Sequence, residues 1–303
     1  MAINSLKFRE NMTTELEKEL VQGATVSFFE DGAMRAKFVG AKQVSIPEMS
    51  LSALADYDRD NGFTRGAVDI TRKVHTLARD RARSFQIDRE DMDEVGVAGL
   101  AGEVLGEFVR TKVVPEVDAY ALSQIGGCAV TESQTVTGNM ATEAYKIFTT
   151  ALGEIQDAIG YDEEIVCFAD RAFMSALNAS PEVSRTIAVS DFKKGEVNLK
   201  VKTLDDVAIL PVPSSRMYSA YEWKSGETPE DQGGFAPLPS ASQFGFIMLP
   251  KKAAMLVKKS ETLRTFAPDQ NIKADAWKFD YRLYFDVFVK NNMKKAIRAF
   301  IKG

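Results

Sequence analysis

The sequence of 303 residues is poor in the side chains that most often bind metals, because it contains one histidine and two cysteines. With His75 alone, a zinc site built on two histidines cannot form. Cys128 and Cys167 are far apart and no C-x-x-C pair occurs, so we predict two buried thiols that act as small apolar side chains. His75 itself lies in an alternating polar segment and is interpreted as a residue on the surface of a strand.

Membrane and targeting signals are also missing. No apolar run reaches the roughly 18 residues of a membrane span, and the first twenty residues lack the apolar middle of a signal peptide. The formal net charge of -5 and the pI of about 5.3 give no basic surface for binding nucleic-acid phosphates tightly. We therefore predict a cytoplasmic protein that contacts no membrane.

Common catalytic motifs are absent as well. The sequence has no G-x-G-x-x-G, no G-K-S/T phosphate loop and no G-x-S-x-G elbow. Carboxylate groups such as residues 162–164 have no apolar surroundings of the kind that a general acid or base requires, and they are interpreted as solvated surface. We predict no cofactor, no metal site and no enzymatic activity.

The strongest pattern that is present covers residues 274–289, ADAWKFDYRLYFDVFV. The odd positions from Trp277 to Val289 are apolar, whereas charged residues, among them Lys278 and Asp286, take most of the even ones. Successive strand side chains point to opposite faces, so this period predicts a strand with one apolar face. At about 3.3 Å per residue the strand would extend about 50 Å, and we expect an equally long element to cover it.

Residues 95–127 supply that element, because their apolar residues recur at helical spacing. The acidic residues before position 95 suit a helix N-terminus, and Gly126-Gly127 are predicted to end the helix. A helix of this length spans about 46 Å, which matches the long strand. Pro115 removes one backbone hydrogen bond and predicts a kink there.

Two further regions complete the outline. Residues 24–48 are predicted to form strands joined by a turn at Asp31-Gly32, and residues 67–88 a second ribbon that could pair with them, while residues 1–23 form a mobile arm. Residues 128–256 are predicted to form a compact α/β unit, inserted between the long helix and the last strands. Its predicted features include a helix capped by Thr142, a turn at Asp205-Asp206 and a long loop at 222–240.

The segment 79–94, RDRARSFQIDREDMDE, mixes arginines with carboxylates. It is either an exposed face that contributes little energy or a strap that forms ion pairs with a neighbouring subunit, since guanidinium groups match carboxylates. Under the second interpretation the candidate interface residues are Arg72, Lys73, Arg79, Asp80, Arg81, Arg83, Asp88, Arg89, Glu90 and Asp91. Reversing Arg79, Arg81 and Arg83 to glutamate is then expected to leave the subunit folded but to weaken or misdirect assembly.

Four stretches, taken in order, resemble a known family. TLARDRARSFQIDREDMDEVG, LGEFVRTKVVPEVDAYALSQI, VPSSRMYSAYEW and RTFAPDQNIKADAWKFDYRLYFDVFV together resemble major capsid proteins of tailed bacteriophages with the Hong Kong-ninety-seven-type fold. The resemblance implies an α+β fold with an N-terminal arm (1–23), an extended β-ribbon loop with flanking strands (24–94), a peripheral domain with a long spine helix and long antiparallel strands (95–127 and 257–303), and an inserted α/β axial domain (128–256).

The resemblance also implies a function. Copies would form hexamers and pentamers that close into an icosahedral shell around double-stranded DNA in the bacterial host cytoplasm, with a separate scaffolding protein, a portal and in some cases a decoration protein. Some members carry a cleaved N-terminal scaffolding segment, whereas few residues precede the first predicted strand here. Some cross-link lysine to asparagine, but no motif aligns such a pair in this sequence. Two alternatives stay open: an encapsulin-type nanocompartment shell enclosing enzyme cargo, and a soluble enzyme with a site in residues 128–256.

Overall fold

The computed structural model describes most of the chain. The described residues are 24–30, 37–38, 42–57, 59, 62–63, 65–90, 104–180, 188–194, 197–228 and 232–302. The predicted arm at 1–23, the predicted turn at Asp31-Gly32 and the predicted start of the long helix at 95–103 lie outside these ranges.

Fifteen strands and three regular α-helices are described, with the strands grouped in four sheets. The first sheet has the order β1-β2-β3, the long sheet β13-β14-β4, the large sheet β5-β15-β12-β6-β9-β8-β7, and β10 pairs with β11. The helices are α1 (Val114–Thr131), α2 (Met140–Ile159) and α3 (Arg171–Ala179). The strands are β1 (Lys37–Phe38), β2 (Gln43–Leu51), β3 (Val68–Thr76), β4 (Arg79–Asp88), β5 (Thr135–Val136), β6 (Ile165–Asp170), β7 (Ala188–Lys194), β8 (Val197–Leu204), β9 (Val207–Val212), β10 (Tyr221–Lys224), β11 (Gly234–Pro237), β12 (Phe244–Pro250), β13 (Ala254–Phe266), β14 (Ala276–Val289) and β15 (Arg298–Ile301).

The long alternating strand is confirmed. Strand β14 pairs antiparallel with β13 along one edge and with β4 along the other. Its odd-numbered apolar residues from Phe279 to Val287 lie in the main core, with Trp277 and Val289 packed at the ends. On the even-numbered face, which carries most of the charges, Tyr284 and Asp286 are nevertheless buried, at 6% and 4% exposed, because a second small cluster covers this end of the strand.

The long helix packs on that apolar face, as predicted. Residues 104–108 are helical, Val109–Val113 form a π-helical turn, and α1 follows without a break. The N–H of Val114 bonds to the carbonyl of Val109, five residues earlier, directly before Pro115. Because Pro115 has no N–H to donate, the irregular turn lies where the sequence predicted a kink.

The predicted end of this helix at Gly126-Gly127 is wrong, because α1 continues to Thr131. Gly126 is needed for packing instead. An added Cβ there would lie 2.5 Å from Cε2 of Phe244, whereas one on Gly127 would meet no atom within 4 Å. The glycine thus permits close contact between α1 and β12 without ending the helix.

The large sheet has helices on both faces. The side chains of β6 alternate between the two faces of the sheet. Val166 and Phe168 lie in the core around α1, while Cys167 and Ala169 lie in the core around α2 and α3. Helix α2 is capped by Asn139, which accepts from the N–H of Ala141 at 3.0 Å, so the prediction of Thr142 as the cap is wrong.

Three other predictions concern this unit. The turn at Asp205-Asp206 is confirmed, because both residues have positive φ between β8 and β9. The predicted loop at 222–240 is wrong in part, because β10 and β11 form a hairpin there. Strand β15 pairs with β12 and β5, so grouping all of 257–303 with the long strands is wrong for residues 298–301.

Residues 24–30 are not the predicted strand. They form a short 3₁₀ turn whose Val26, Phe28 and Phe29 are buried in the main core. The buried carboxylate of Asp118 on α1 accepts from the N–H groups of Thr25 and Val26 at 3.1 and 3.2 Å. Arg216 donates to the same carboxylate at 2.9 Å. Burial raises the pKa of the Asp118 carboxyl, and these donors oppose that effect.

Candidate inter-subunit surface

Strands β1, β2 and β3 form a ribbon, defined here with the described residues between 52 and 67 at its tip. Strand β2 pairs with β3 over nine residue pairs, from Gln43↔Thr76 to Leu51↔Val68, which confirms the expected antiparallel pairing. The base of the ribbon is anchored where Val44, Ile46 and Leu77 pack against β13 and β14. Beyond the base, the residues of β3 are exposed except for His75, which is half-buried.

The exposed surface of the ribbon is strongly apolar. Val68, Ile70 and Val74 take alternate positions of β3 and share one face, and Leu51 lies opposite Val68 on that face. Each of these four side chains is more than half exposed. At the tip, Leu54 is fully exposed and Phe63 is 90% exposed, with its ring 5.1 Å from that of Tyr57. Several exposed apolar side chains on one ribbon, with Arg72 between Ile70 and Val74, favour an interaction site.

The predicted interface residues fall into three separate places. Both Arg72 and Lys73 lie on the exposed part of β3, Arg72 on the same face as Ile70 and Val74 and Lys73 on the opposite face. The others belong to β4 and the residues after it, and β4 is a strand of the long sheet, not of the ribbon. The described part of the charged segment, residues 79–90, therefore lies outside the ribbon.

Arg79 and Arg81 point inward. The guanidinium group of Arg79 lies 4.1 Å from the ring centroid of Trp223 and 4.7 Å from that of Tyr120. Nε of Arg81 is 2.6 Å from Oε1 of Glu116 on α1, and the same guanidinium donates to the carbonyl of Lys224 at 2.9 Å. Burial lowers the pKa of Arg79. Both arginines thus have partners within the same chain, and a role for them between subunits stays a prediction.

Asp80 lies on the opposite, outward face of β4. It forms two bonds with Arg282, at 2.8 and 2.5 Å, and the hydrogen bond from that guanidinium lowers the pKa of Asp80. Arg83 is also exposed and lines a shallow cavity of about 330 Å³ on the long sheet. The guanidinium of Arg83 lies beside Gly226 and Gly233 of the same chain, because a Cβ added to these glycines would be 2.8 and 3.7 Å from its Nη1. A role for Asp80 and Arg83 between subunits stays a prediction.

The residues after β4 are exposed. Asp88 accepts from the N–H of Glu90 at 3.0 Å, and Arg89 lies 3.9 Å from Asp275. Asp91 lies outside the described residues. Such exposed ion pairs contribute little to the stability of the subunit, so Asp88, Arg89 and Glu90 remain candidates for an inter-subunit role.

Sequence reasoning missed the apolar face of the ribbon. Its signal was present, because Val68, Ile70 and Val74 occupy alternate positions. The charged residues beside them, Asp69, Arg72 and Lys73, indicate a solvated strand and so obscure this alternation. It also missed the carboxylate of Asp286 at the base of the ribbon, which accepts from the N–H of Ala78 at 2.8 Å and from the hydroxyl of Tyr120 at 2.7 Å.

Sites of other kinds were sought in the same part of the chain. Among the described residues, no group of three or more histidine, cysteine, aspartate or glutamate side chains could hold a metal ion. No described helix is long and apolar enough to cross a membrane. A second cavity, of about 450 Å³, lies open between α1 and the end of β14, and it is lined mainly by uncharged polar and apolar residues.

Comparison with known proteins shows the fold. No family model and no curated protein sequence matches the chain. The structure is similar to Gordonia phage Cozz (11% identity, TM-score 0.58, 91% of this chain and 86% of that one) and to the asymmetric unit of the mature capsid of bacteriophage PhiM1 (14%, 0.56, 86% and 82%). It is also similar to a virus-like particle from Pyrococcus furiosus (11%, 0.52, 97% and 99%). The chain therefore has the fold of tailed-phage major capsid proteins.

Proposed function

We propose that this chain is the major capsid protein of a tailed bacteriophage, a non-enzymatic subunit that assembles as hexamers and pentamers into an icosahedral shell around double-stranded DNA. Support comes from the likeness of fold over most of the chain at low sequence identity. A separate scaffolding protein, a portal and a decoration protein are further partners under this proposal. Assembly would take place in the host cytoplasm.

The observation that carries the proposal is the apolar face of the ribbon. Leu51, Val68, Ile70 and Val74 expose on one face the side chains that a folded subunit normally buries. Burying them against a second copy would be favourable by roughly 25 cal/mol for each Å² of apolar surface removed from water. The ribbon and the surface that receives it differ, so the contact is heterologous, and such contacts generate closed rings when the rotation between copies permits closure.

The acidic character of the chain suits an enclosed nucleic acid. A net charge of -5 repels phosphates, so packaged DNA would slide along the inner wall without binding to it. The affinity of empty shells for DNA at low salt tests this point, and tight retention of DNA on the inner wall would contradict it.

A second candidate function is a nanocompartment shell that encloses protein cargo. The match to the virus-like particle from Pyrococcus furiosus favours it, because that match covers 97% of this chain and 99% of the other one. The same self-assembling fold would serve both functions, so the contents of the particle separate them.

The test is electron microscopy of the purified protein, followed by analysis of what the particles protect. Closed shells that contain nuclease-resistant DNA, when the protein is produced during phage infection, support the first function. Shells that contain protein and no DNA support the second. A monodisperse monomer at every protein concentration would contradict both.

A further inference from the structure

Two residues join the ribbon to the body of the subunit. Strand β3 ends at Thr76 and β4 begins at Arg79, so Leu77 and Ala78 form the joint between them. On the body side, β4 is fixed by ten residue pairs with β14. On the ribbon side, the N–H of Leu77 bonds to the carbonyl of Lys42 at 2.8 Å and closes the base of the ribbon. This joint therefore fixes the ribbon to the body together with the packing of Val44 and Ile46 against β13 and β14.

Side chains of β14 hold the joint. The N–H of Ala78 donates to Oδ2 of Asp286 at 2.8 Å, and the hydroxyl of Tyr284 donates to the carbonyl of Leu77 at 3.2 Å. The side chain of Leu77 is 3% exposed and packs in the same small cluster as Tyr284. The N–H of Ala78 and the carbonyl of Leu77 thus both bond to side chains of β14.

The other oxygen of the same carboxylate connects the joint to the spine helix. The hydroxyl of Tyr120 on α1 donates to Oδ1 of Asp286 at 2.7 Å. The ring of Tyr120 also lies under the guanidinium of Arg79 and 5.6 Å from Trp223 of β10. Burial and the neighbouring carboxylate raise the pKa of Tyr120, which keeps its hydroxyl a donor.

We propose that Asp286 and Tyr120 are positioning residues for assembly, which fix the direction in which the ribbon leaves the subunit and thereby the angle at which neighbouring copies meet. The inference rests on the proposed function for its assembly part. Its structural part, the fixed direction of the ribbon, concerns a single subunit.

The physical reason lies in the energetics of buried carboxylates. Removing a carboxylate from water is expensive, and even a well-bonded one contributes little net stability. Its bonds do, however, favour one arrangement, because any other leaves the buried charge with fewer donors. Asp286 is 4% exposed and accepts from the N–H of Ala78 in the joint, from the hydroxyl of Tyr120 on α1 and from the N–H of Val287, so a rotated ribbon would break the first of these bonds. The small apolar cluster lacks this directionality, since hydrophobic contacts are non-directional.

The experiment measures ribbon direction in unassembled subunits. Spin labels are placed at Asp69→Cys on the ribbon and Ser84→Cys on β4, both exposed positions, in a Cys128→Ser background, with Cys167 buried. A ribbon collinear with β4 would place the two residues at most about 50 Å apart. Double electron–electron resonance then gives the distance distribution for the unmodified joint, Asp286→Asn, Tyr120→Phe and Asp80→Asn.

The unmodified joint should give one narrow distance peak, and Asp286→Asn should at least double its width, because the amide nitrogen that replaces one carboxylate oxygen cannot accept a hydrogen bond. Tyr120→Phe removes a single hydroxyl and is the second variant should Asp286→Asn not fold. Asp80→Asn is the matched control, since it removes an exposed carboxylate at the start of β4 that bonds to Arg282 and not to the joint.

Thermal unfolding of the same proteins separates positioning from stability. We expect the Tyr120→Phe midpoint to stay within a few degrees of the unmodified protein while the distance distribution broadens and the yield of shells of normal diameter falls severalfold. Normal distance distributions in both variants, or a broad one in the unmodified protein, overturn the inference. Broadening with normal shells overturns its assembly part. Failure of the unmodified protein to form shells overturns the proposed function, while the distance data still decide the direction of the ribbon.

Discussion

Arg81 and Glu116 form an ion pair within one subunit, with Nε 2.6 Å from Oε1, and so tie strand β4 to helix α1. Their side chains are 27% and 16% exposed, which makes the pair partly buried. Arg81 thus belongs to the machinery that holds the subunit together. Arg72 differs, because it is exposed on the ribbon.

Reversal of the charge at residue 81 should destabilise the subunit. Arg81→Glu would leave two carboxylates facing each other, and we expect a loss of about 1–3 kcal/mol in the free energy of unfolding. The double variant Arg81→Glu with Glu116→Arg should recover part of that loss. Urea unfolding of unassembled subunits measures both. Arg72→Glu, the control, should change the free energy of unfolding by less than about 0.5 kcal/mol; equal losses for the two single variants would contradict the assignment.

Two adjacent glycines of α1 should respond in opposite ways to alanine. Gly126→Ala places a methyl group 2.5 Å from the ring of Phe244, so we expect destabilisation of about 1–3 kcal/mol. Gly127→Ala meets no atom within 4 Å and should stabilise the helix by up to about 1 kcal/mol. Thermal and urea unfolding give the two signs, and the same sign for both would show that Gly126 does not serve close packing.

Charged residues on the apolar face of the ribbon should block assembly without unfolding the subunit. Ile70→Lys lies on that face, and Thr71→Lys, its control, lies on the opposite face of the same strand. Both residues are exposed, so both variants should keep the unfolding free energy within about 0.5 kcal/mol. Sedimentation velocity should show particles for Thr71→Lys and small species for Ile70→Lys. Normal particles from Ile70→Lys would remove this face from the interface.

The two thiols should differ in reactivity and in its pH dependence. Burial raises the pKa of Cys167 and of the half-buried Cys128, and a raised pKa lowers the thiolate fraction at a given pH. Alkylation of Cys128 should therefore be slower than that of a free thiol at pH 8 and should still increase at a pH where a free thiol has levelled off. Cys167 should react after unfolding. Mass spectrometry of timed samples measures both, and rapid native alkylation of Cys167 would contradict its burial.

The sequence predicted the elements whose signal is local and long. The alternation in β14 and the helical spacing in α1 each extend over many residues, so single exceptions such as Pro115 did not hide them. The details that failed depend on contacts distant in sequence. Gly126 resembles a helix stop until Phe244 is placed beside it, and residues 24–30 have β-forming residues but fold as a turn because Asp118 binds their N–H groups.

The candidate surface was predicted only in part, because contacts between residues distant in sequence decide which of its side chains are buried. Strand β4 alternates in the same way whether it belongs to the ribbon or to the long sheet, and its pairing with β14 decides that Arg79 and Arg81 point inward. Arg72 and Lys73 were placed on an exposed ribbon, as the structure has them. The joint at Ala78 was not foreseeable, because its partner Asp286 looked like one more charge on a solvated face.

Strand β15 is the last strand of the large sheet in chain order. Residues 298–301 insert between β5 and β12, and Phe300 stacks on Phe246 in the interior. Ribosomes deliver a chain from its N-terminus, so every other strand of the large sheet emerges before this one. Until residues 298–301 have emerged, a nascent chain therefore carries a gap in that sheet between β5 and β12.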